Sequence, residues 1–128
     1  MPAMDRSFRI PVTATFGEMA AADKVQGTLS CAGYENWPPE TTLSSAYFEA
    51  FMQDAVAAAE ARNVPLYCGE YGVIDKARPE DALVWFRAIH GAFEKYGIGR
   101  AAWSYRQMDF GLSDPRMDGV RAELLTCL

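Results

Sequence analysis

The chain has 128 residues, of which 50% are hydrophobic and 12% aromatic, a composition that predicts a globular core and excludes intrinsic disorder. The formal net charge is −5 and the basic residues are scattered, so we do not expect the chain to bind nucleic acid. The sequence has no run of about 18 apolar residues, so no membrane contact is predicted.

Residues 1–40 are predicted to form a long functional loop. Prolines and glycines interrupt any periodic pattern there, although residues 9–13 suit a short extended piece and residues 18–24 a helical turn or two. An irregular segment of about 40 residues is unusual in a compact domain, so we expect the scaffold that precedes this loop to be missing.

Residues 42–62 are predicted to form a helix, capped by Thr41 or Thr42 and ended by Asn63. Its apolar stripe has helical spacing and comprises Phe48, Phe51, Met52, Ala55, Val56 and Ala59. Residues 64–68 follow as a short apolar run with the composition of a buried strand.

A second helix is predicted over residues 79–96, with Pro79 in its first turn and Gly97 as its C-terminal cap. One of its faces carries Ala82, Phe86, Ile89, Phe93 and Tyr96. Residues 98–105 are predicted to be another strand, residues 106–115 a loop, and residues 118–126 a last short helix.

Strands that alternate with helices predict parallel βαβ units and an α/β fold. The amphipathic helices are of the kind that surround a (β/α)8 barrel, but the sequence has too few strands to close one. A full barrel takes about 250 residues. We therefore predict that residues 1–128 are a fragment of one domain, a partial (β/α)8 TIM barrel. It comprises the last two to three βα units (residues 41–128), preceded by the loop of residues 1–40.

Glu70 is the first chemically unusual position. It follows an apolar strand and lies between Gly69 and Gly72, and barrel enzymes place catalytic groups at such strand ends. An ordinary solvated or salt-bridged glutamate would fit the same pattern.

Trp103 lies near the end of the next strand and is followed by Tyr105. A flat aromatic face suits the C–H face of a sugar ring, but a core tryptophan fits the sequence equally well. Asp109 in the adjoining loop is a candidate site residue, with a turn role as its alternative.

Two segments together carry a family resemblance. LYCGEYGVID at residues 66–75 is similar to the seventh-strand motif of family 5 glycoside hydrolases, the cellulase-like group, and AAWSYRQMDFGL at residues 101–112 resembles their eighth-strand motif. The two motifs occur in the family's order, with one amphipathic helix between them.

The resemblance implies that Glu70 is the nucleophile of a retaining glycosidase and that Trp103 forms the floor of the subsite for the sugar whose bond is cut. It further implies hydrolysis of β-linked glucans or related polysaccharides without a metal or organic cofactor. Such a mechanism uses two carboxyl groups about 5–5.5 Å apart.

The sequence departs from the family at the second carboxyl group. The family's acid/base is a glutamate directly after an asparagine, whereas Asn36 and Asn63 are followed by Trp37 and Val64. The strand that would carry the acid is absent too, so we expect the chain alone to be an inactive fragment whose partner is the missing N-terminal part of the barrel.

Other residues have open roles. Trp37 either lines the substrate cleft or packs the loop, and Tyr71 or Tyr105 is a candidate to bond the nucleophile or a sugar hydroxyl. Trp85 is expected in helix–helix packing and His90 in a structural role. The odd set of three cysteines has no CxxC pair, so free or buried thiols are expected and no metal site is predicted.

Two further functions compete with that of an enzyme fragment. One is a non-catalytic carbohydrate-binding module, and the other is a structural half-barrel that oligomerises to cover its open sheet edge. Residues 1–9 lack the layout of a signal peptide. The location of the chain is therefore not predicted, although the resemblance implies a secreted or cell-surface bacterial parent.

Overall fold

The computed structural model describes residues 10–26 and 36–128. Internal contacts divide the chain into two units, residues 1–43 and residues 44–128. The principal elements are α1 (Phe16–Gln26), α2 (Ser45–Arg62), β1 (Tyr67–Tyr71), α3 (Pro79–Tyr96), β2 (Gly99–Ala102) and α4 (Arg121–Leu124). No helix within the described ranges is long and apolar enough to cross a bilayer.

In the first unit, α1 begins with a reciprocal cap. The Thr15 N–H donates to Glu18 Oε2 at 2.8 Å, and the Glu18 N–H donates to Thr15 Oγ1 at 3.2 Å. The helix is longer than the one or two turns expected. The extended piece predicted over residues 9–13 is wrong where it is described, because the Ala14 N–H bonds Pro11 O and closes a turn. Cys31 lies outside the described residues.

The second unit begins with α2. Ser44 caps it by accepting the Tyr47 N–H on its hydroxyl at 3.2 Å, so the predicted cap at Thr41 or Thr42 is wrong. Asn63 ends the helix in the left-handed conformation (φ 51°), as predicted. Only part of the predicted stripe is buried, namely Phe48, Val56 and Ala59, whereas Phe51 is 65% exposed.

The strand predicted as buried over residues 64–68 is shifted and largely exposed. β1 spans Tyr67–Tyr71, and only Tyr71 in it is buried. Among the described residues β1 pairs with β2 alone, so its other edge is unpaired, and the exposure of Tyr67 and Glu70 shows that these residues leave one face of the strand uncovered. A parallel strand is buried on both faces only where neighbours cover both.

α3 matches its predicted bounds of residues 79–96. Gly97 ends it with a φ of 60°, a conformation that glycine adopts without steric cost. The predicted face is buried at Ala82, Phe86, Ile89 and Phe93. Trp85 packs edge-to-face on Phe48 of α2 with ring centroids 5.4 Å apart, which confirms its expected place in helix–helix packing.

Because Phe93 is 1% exposed and lies beneath both Tyr71 and Arg100, we expect Phe93→Ala to lower the free energy of unfolding by about 3–5 kcal/mol. Phe51→Ala removes the same side chain from a site that is 65% exposed, and should change stability by about 0.5 kcal/mol or less. Urea titration followed by circular dichroism measures both, and equal losses would contradict the burial pattern.

β2 is shorter than the predicted strand of residues 98–105, since it covers only Gly99–Ala102 and is followed by a cis peptide bond between Trp103 and Ser104. The single helix predicted over residues 118–126 is instead a series of short turns. Two of them are the 3₁₀ turns Pro115–Met117 and Leu125–Cys127, on either side of α4. Their buried side chains are Met117, Leu124 and Cys127.

β1 and β2 are parallel and joined through α3, which confirms the predicted α/β class. Tyr71 inserts between this sheet and α3, with its ring centroid 5.0 Å from Phe93 and 5.9 Å from Phe86. The core of the second unit therefore lies between the sheet and the helices, and none of the residues that the structure describes buries the side chains of Tyr67 and Glu70 on the other face of the sheet.

Candidate active site

A β-bulge lies at Gly69 and Glu70. Between the pair Cys68–Arg100 and the pair Tyr71–Ala102, β1 advances by three residues while β2 advances by two. β1 thus contains one extra residue, which interrupts the alternation of its side chains. Bulges of this kind re-aim side chains, and here the residue affected is the candidate nucleophile.

The helix-facing side of the sheet is marked by two residues. Tyr71 packs against α3, and the Arg100 guanidinium lies 5.4 Å over the Phe93 ring and 3.0 Å from His90 Nδ1. Cys68 pairs with Arg100, so Cys68 and Tyr71 face the helix on either side of the bulge. Glu70 is therefore inferred to point to the open face.

Trp103 is inferred to reach the same open face. Arg100 and Ala102 face the helix side, and continuing their alternation one residue beyond the end of β2 turns Trp103 away from it. Its backbone N–H donates to Tyr71 O at 2.8 Å, and its side chain is 39% exposed. From the register we therefore infer that Glu70 and Trp103 share one surface at the carboxyl ends of the two strands.

The Glu70 side chain is exposed, and its carboxylate has no hydrogen bond or ion pair with any residue the structure describes. The salt-bridged alternative considered for this position is therefore not seen within that part of the chain. An unpaired carboxylate on an open sheet face is accessible to a ligand.

Gly72 allows the two strand ends to meet. A Cβ atom built at this position would lie 2.2 Å from Trp103 O and 3.3 Å from the Phe110 ring. Such distances leave no room for a side chain, so glycine is required here by the close approach of the Trp103 backbone. The second glycine of the motif therefore fixes the spacing between the Glu70 and Trp103 segments.

Tyr105 and Asp109 lie in the loop after β2 and are both exposed, Tyr105 at 80%. Asp109 has a φ of 62° and accepts the Asp75 N–H on its backbone oxygen at 2.6 Å. The backbone of Asp109 therefore has the turn role considered for this residue. Its side chain is exposed to solvent.

Several known proteins are similar to this chain in sequence or in structure. Cellodextrinase A of Ruminococcus flavefaciens is 48% identical over 61 residues, covering 48% of this chain and 18% of that protein. Endoglucanase C of Acetivibrio thermocellus is 35% identical over 77 residues, covering 60% and 22%. The endoglucanase Cel5A of Thermotoga maritima superposes with a TM-score of 0.56 at 24% identity, over 80% of this chain and 34% of that one.

The chain is thus similar to part of several cellulases, in agreement with the resemblance of its two strand-end motifs to family 5 glycoside hydrolases. It spans 18% and 22% of the two relatives named, and so corresponds to part of their domain. No protein-family model matches the sequence. The cellulose synthase subunit Z of Clostridioides difficile also superposes, with a TM-score of 0.54 at 21% identity over 81% of this chain and 36% of that one.

The predicted partial (β/α)8 barrel is confirmed by the superpositions on barrel endoglucanases. In such barrels catalytic groups sit at the carboxyl ends of the strands. Glu70 is the next-to-last residue of β1, and Trp103 directly follows β2.

The interpretation of Tyr71 as a partner for the nucleophile or a sugar is wrong. Its ring is 6% exposed and packs on α3, on the side of the sheet away from the open face. Burial raises the pKa of the Tyr71 hydroxyl, although the nearby Arg100 guanidinium acts in the opposite direction. Tyr71 therefore serves the core of the second unit.

Trp37 belongs to the first unit, where it is half-buried and packs edge-to-face on Phe16 with centroids 6.5 Å apart. The contact with Phe16 supports the packing role considered for Trp37, whereas a place for Trp37 in the substrate cleft stays a prediction. His90 contacts Arg100 on the helix side, which agrees with a structural role. Within residues 10–26 and 36–128 no His, Cys, Asp or Glu cluster is arranged to hold a metal ion.

Sequence reasoning missed Tyr67, which it placed in a buried strand. Tyr67 is 68% exposed and lies opposite Gly99, where an added Cβ atom would come within 3.0 Å of Tyr67 Cδ2. Alternation with Cys68 puts Tyr67 on the open face together with Glu70. The pairing of Tyr67 with Gly99 across the two strands could have indicated its position, but this pairing is visible only once the strand register is known.

Proposed function

We propose that this chain supplies the nucleophile, Glu70, and the sugar platform, Trp103, of a retaining β-glycanase. The observation that supports the proposal is the bulge, because it directs the unpaired Glu70 carboxylate away from α3, toward the face inferred for the exposed Trp103. A structural glutamate needs no such reorientation.

In the proposed reaction a Glu70 carboxylate oxygen attacks the anomeric carbon as the bond to the glycosidic oxygen breaks. A second carboxylic acid protonates the departing oxygen, and a covalent glycosyl-enzyme ester remains. The same group then removes a proton from water, which attacks the anomeric carbon and releases Glu70. Trp103 stacks on the sugar and keeps the anomeric carbon within reach.

The proposed substrates are β-linked glucans of the cellulose type. Support comes from the names of the relatives, a cellodextrinase and endoglucanases, and from a solved endo-β-1,4-glucanase with bound substrate. Cel5A of Thermotoga maritima has also been solved with mannotriose, so mannans are the next class to test.

The chain alone is expected to hydrolyse no soluble β-glucan, because the second carboxyl group lies elsewhere and acid/base assistance typically contributes about 10²–10⁴-fold. A chimera of Endoglucanase C whose aligned segment is replaced by this chain's residues should regain activity. Reducing-sugar release measures both, and robust turnover by the chain alone would contradict the shared-site proposal.

One observation favours a second candidate, an oligomerising half-barrel. β1 pairs only with β2 among the described residues, so its other edge is unpaired, and Tyr67 in this strand is 68% exposed. Such an edge invites pairing with another strand. Sedimentation velocity distinguishes the two, since this candidate requires a dimer or larger species and a monomer excludes it.

A further inference from the structure

Ser104 is the one buried polar residue in the described part of the chain, at 9% exposure. Its hydroxyl donates to Gln107 O at 2.9 Å, and its backbone oxygen accepts the Leu112 N–H at 2.9 Å. Ser104 thus joins the end of the β2 segment to both halves of the following loop. A buried hydroxyl that links backbone groups in this way fixes their relative positions.

The hydroxyl of Ser104 reaches an unusual turn. Gln107, Met108 and Asp109 have φ values of 60°, 58° and 62°, so three consecutive residues other than glycine adopt the left-handed conformation. Such a run persists only where surrounding contacts hold it. Those contacts include the Gln107 N–H to Asp114 Oδ1 at 3.2 Å, together with the bond from Ser104.

The turn displays apolar groups beside the candidate site. Met108 is 67% exposed and Tyr105 is 80% exposed, and both follow Trp103 closely in the chain. Exposed aromatic and thioether side chains next to polar ones suit the mixed surface of a pyranose ring. Their positions depend on the backbone that Ser104 holds.

We propose that Ser104 is a positioning residue for glycan binding, which locks the left-handed turn at residues 107–109 so that Trp103, Tyr105 and Met108 form one contact surface for a β-1,4-linked glucose chain. This rests on the proposed function. Ser104 itself is buried and is not expected to touch the sugar.

The test uses the full 128-residue chain. NMR measures two properties, the hydrogen exchange of backbone amides and the binding of cellotetraose. Ser104→Ala should speed hydrogen exchange of the Phe110 and Leu112 amides at least about tenfold. It should also weaken cellotetraose binding at least about tenfold, while the thermal midpoint stays close to that of wild type. Ser104→Thr restores the donor and should recover both properties.

Ser113→Ala is the matched control. Ser113 Oγ also donates to a loop carbonyl, Tyr105 O, but the Ser113 backbone N–H donates to the same oxygen at 2.9 Å. Losing that hydroxyl should therefore leave exchange and binding unchanged.

Unchanged exchange in Ser104→Ala, or wild-type affinity despite faster exchange, would overturn the positioning role. If the wild-type chain binds no cellotetraose, the proposed function fails for the isolated chain, and the exchange comparison still decides whether Ser104 holds the turn.

Discussion

Glu70→Gln in the chimera with Endoglucanase C is expected to lower kcat by at least about 10⁴-fold, since loss of one member of a catalytic group typically costs about 10⁴–10⁶. The amide keeps the size of the side chain but lacks the charge and nucleophilicity needed to attack the anomeric carbon. The measurement is steady-state hydrolysis of a soluble β-glucan.

Glu60→Gln is the matched control, because Glu60 is an exposed glutamate of α2 in the same unit. It should leave kcat unchanged. If Glu70→Gln behaves like Glu60→Gln, then Glu70 takes no part in the chemistry and the chimera's activity comes from the relative's own residues.

The role of Glu70 is tested further in the same chimera. Its Glu70→Ala variant is supplied with azide and an activated aryl β-glucoside, and the configuration of the glycosyl azide product is determined. A nucleophile leaves space on the side of the sugar opposite the leaving group, so azide should enter there and give an α-glycosyl azide. A β-glycosyl azide would instead assign Glu70 to the acid/base position.

Local signals made some elements predictable from sequence. The bounds of α3 follow from Pro79 in the first turn and Gly97 at the end, both of which act within a few residues of their own position. The same holds for Asn63 at the end of α2. The start of α2 was misplaced because three candidate caps, Thr41, Thr42 and Ser44, lie within four residues of each other.

Features that depend on the pairing of β1 with β2 could not be predicted. The run over residues 64–68 looks buried by composition, but burial depends on which layers cover the strand. The bulge that turns Glu70 is a mismatch in count between two strands, and neither strand shows it alone. Glu70 and Trp103 were found by motif, whereas the inference that they share a face depends on the strand register.

The burial of Ser104 could not be predicted from the sequence either. A serine between two exposed aromatic residues looks like a solvent-facing position in the sequence. Its burial depends on a loop that folds back over it, and that loop adopts a left-handed turn without a glycine at residues 107–109. Glycine or asparagine would have been the usual signal for such a turn.

Gly72→Ala is expected to be the most damaging small substitution at the site. Its Cβ would lie 2.2 Å from Trp103 O, and a backbone carbonyl cannot rotate away as a flexible side chain can. Overpacking of this kind costs about 1–3 kcal/mol, and this overlap with backbone belongs at the upper end. Urea titration of the full chain measures the loss.

Gly69→Ala, three residues earlier in the same motif, provides the control. Its Cβ would meet only Tyr67 Cε1 at 3.8 Å, an ordinary contact, so stability should be kept or raised by about 0.4–1 kcal/mol through loss of freedom in the unfolded chain. The two variants add the same methyl group to the same segment. A difference between them therefore isolates the contact with the Trp103 backbone.

The consequence of Gly72→Ala for function follows from the same contact. The Trp103 N–H bonds Tyr71 O, so pushing the Trp103 backbone away strains the link between β1 and the platform residue. In the chimera we expect weaker substrate binding together with a lower kcat, because Trp103 shifts relative to Glu70. A loss of stability with unchanged kinetic constants would mean that the spacing of the strand ends does not position the sugar.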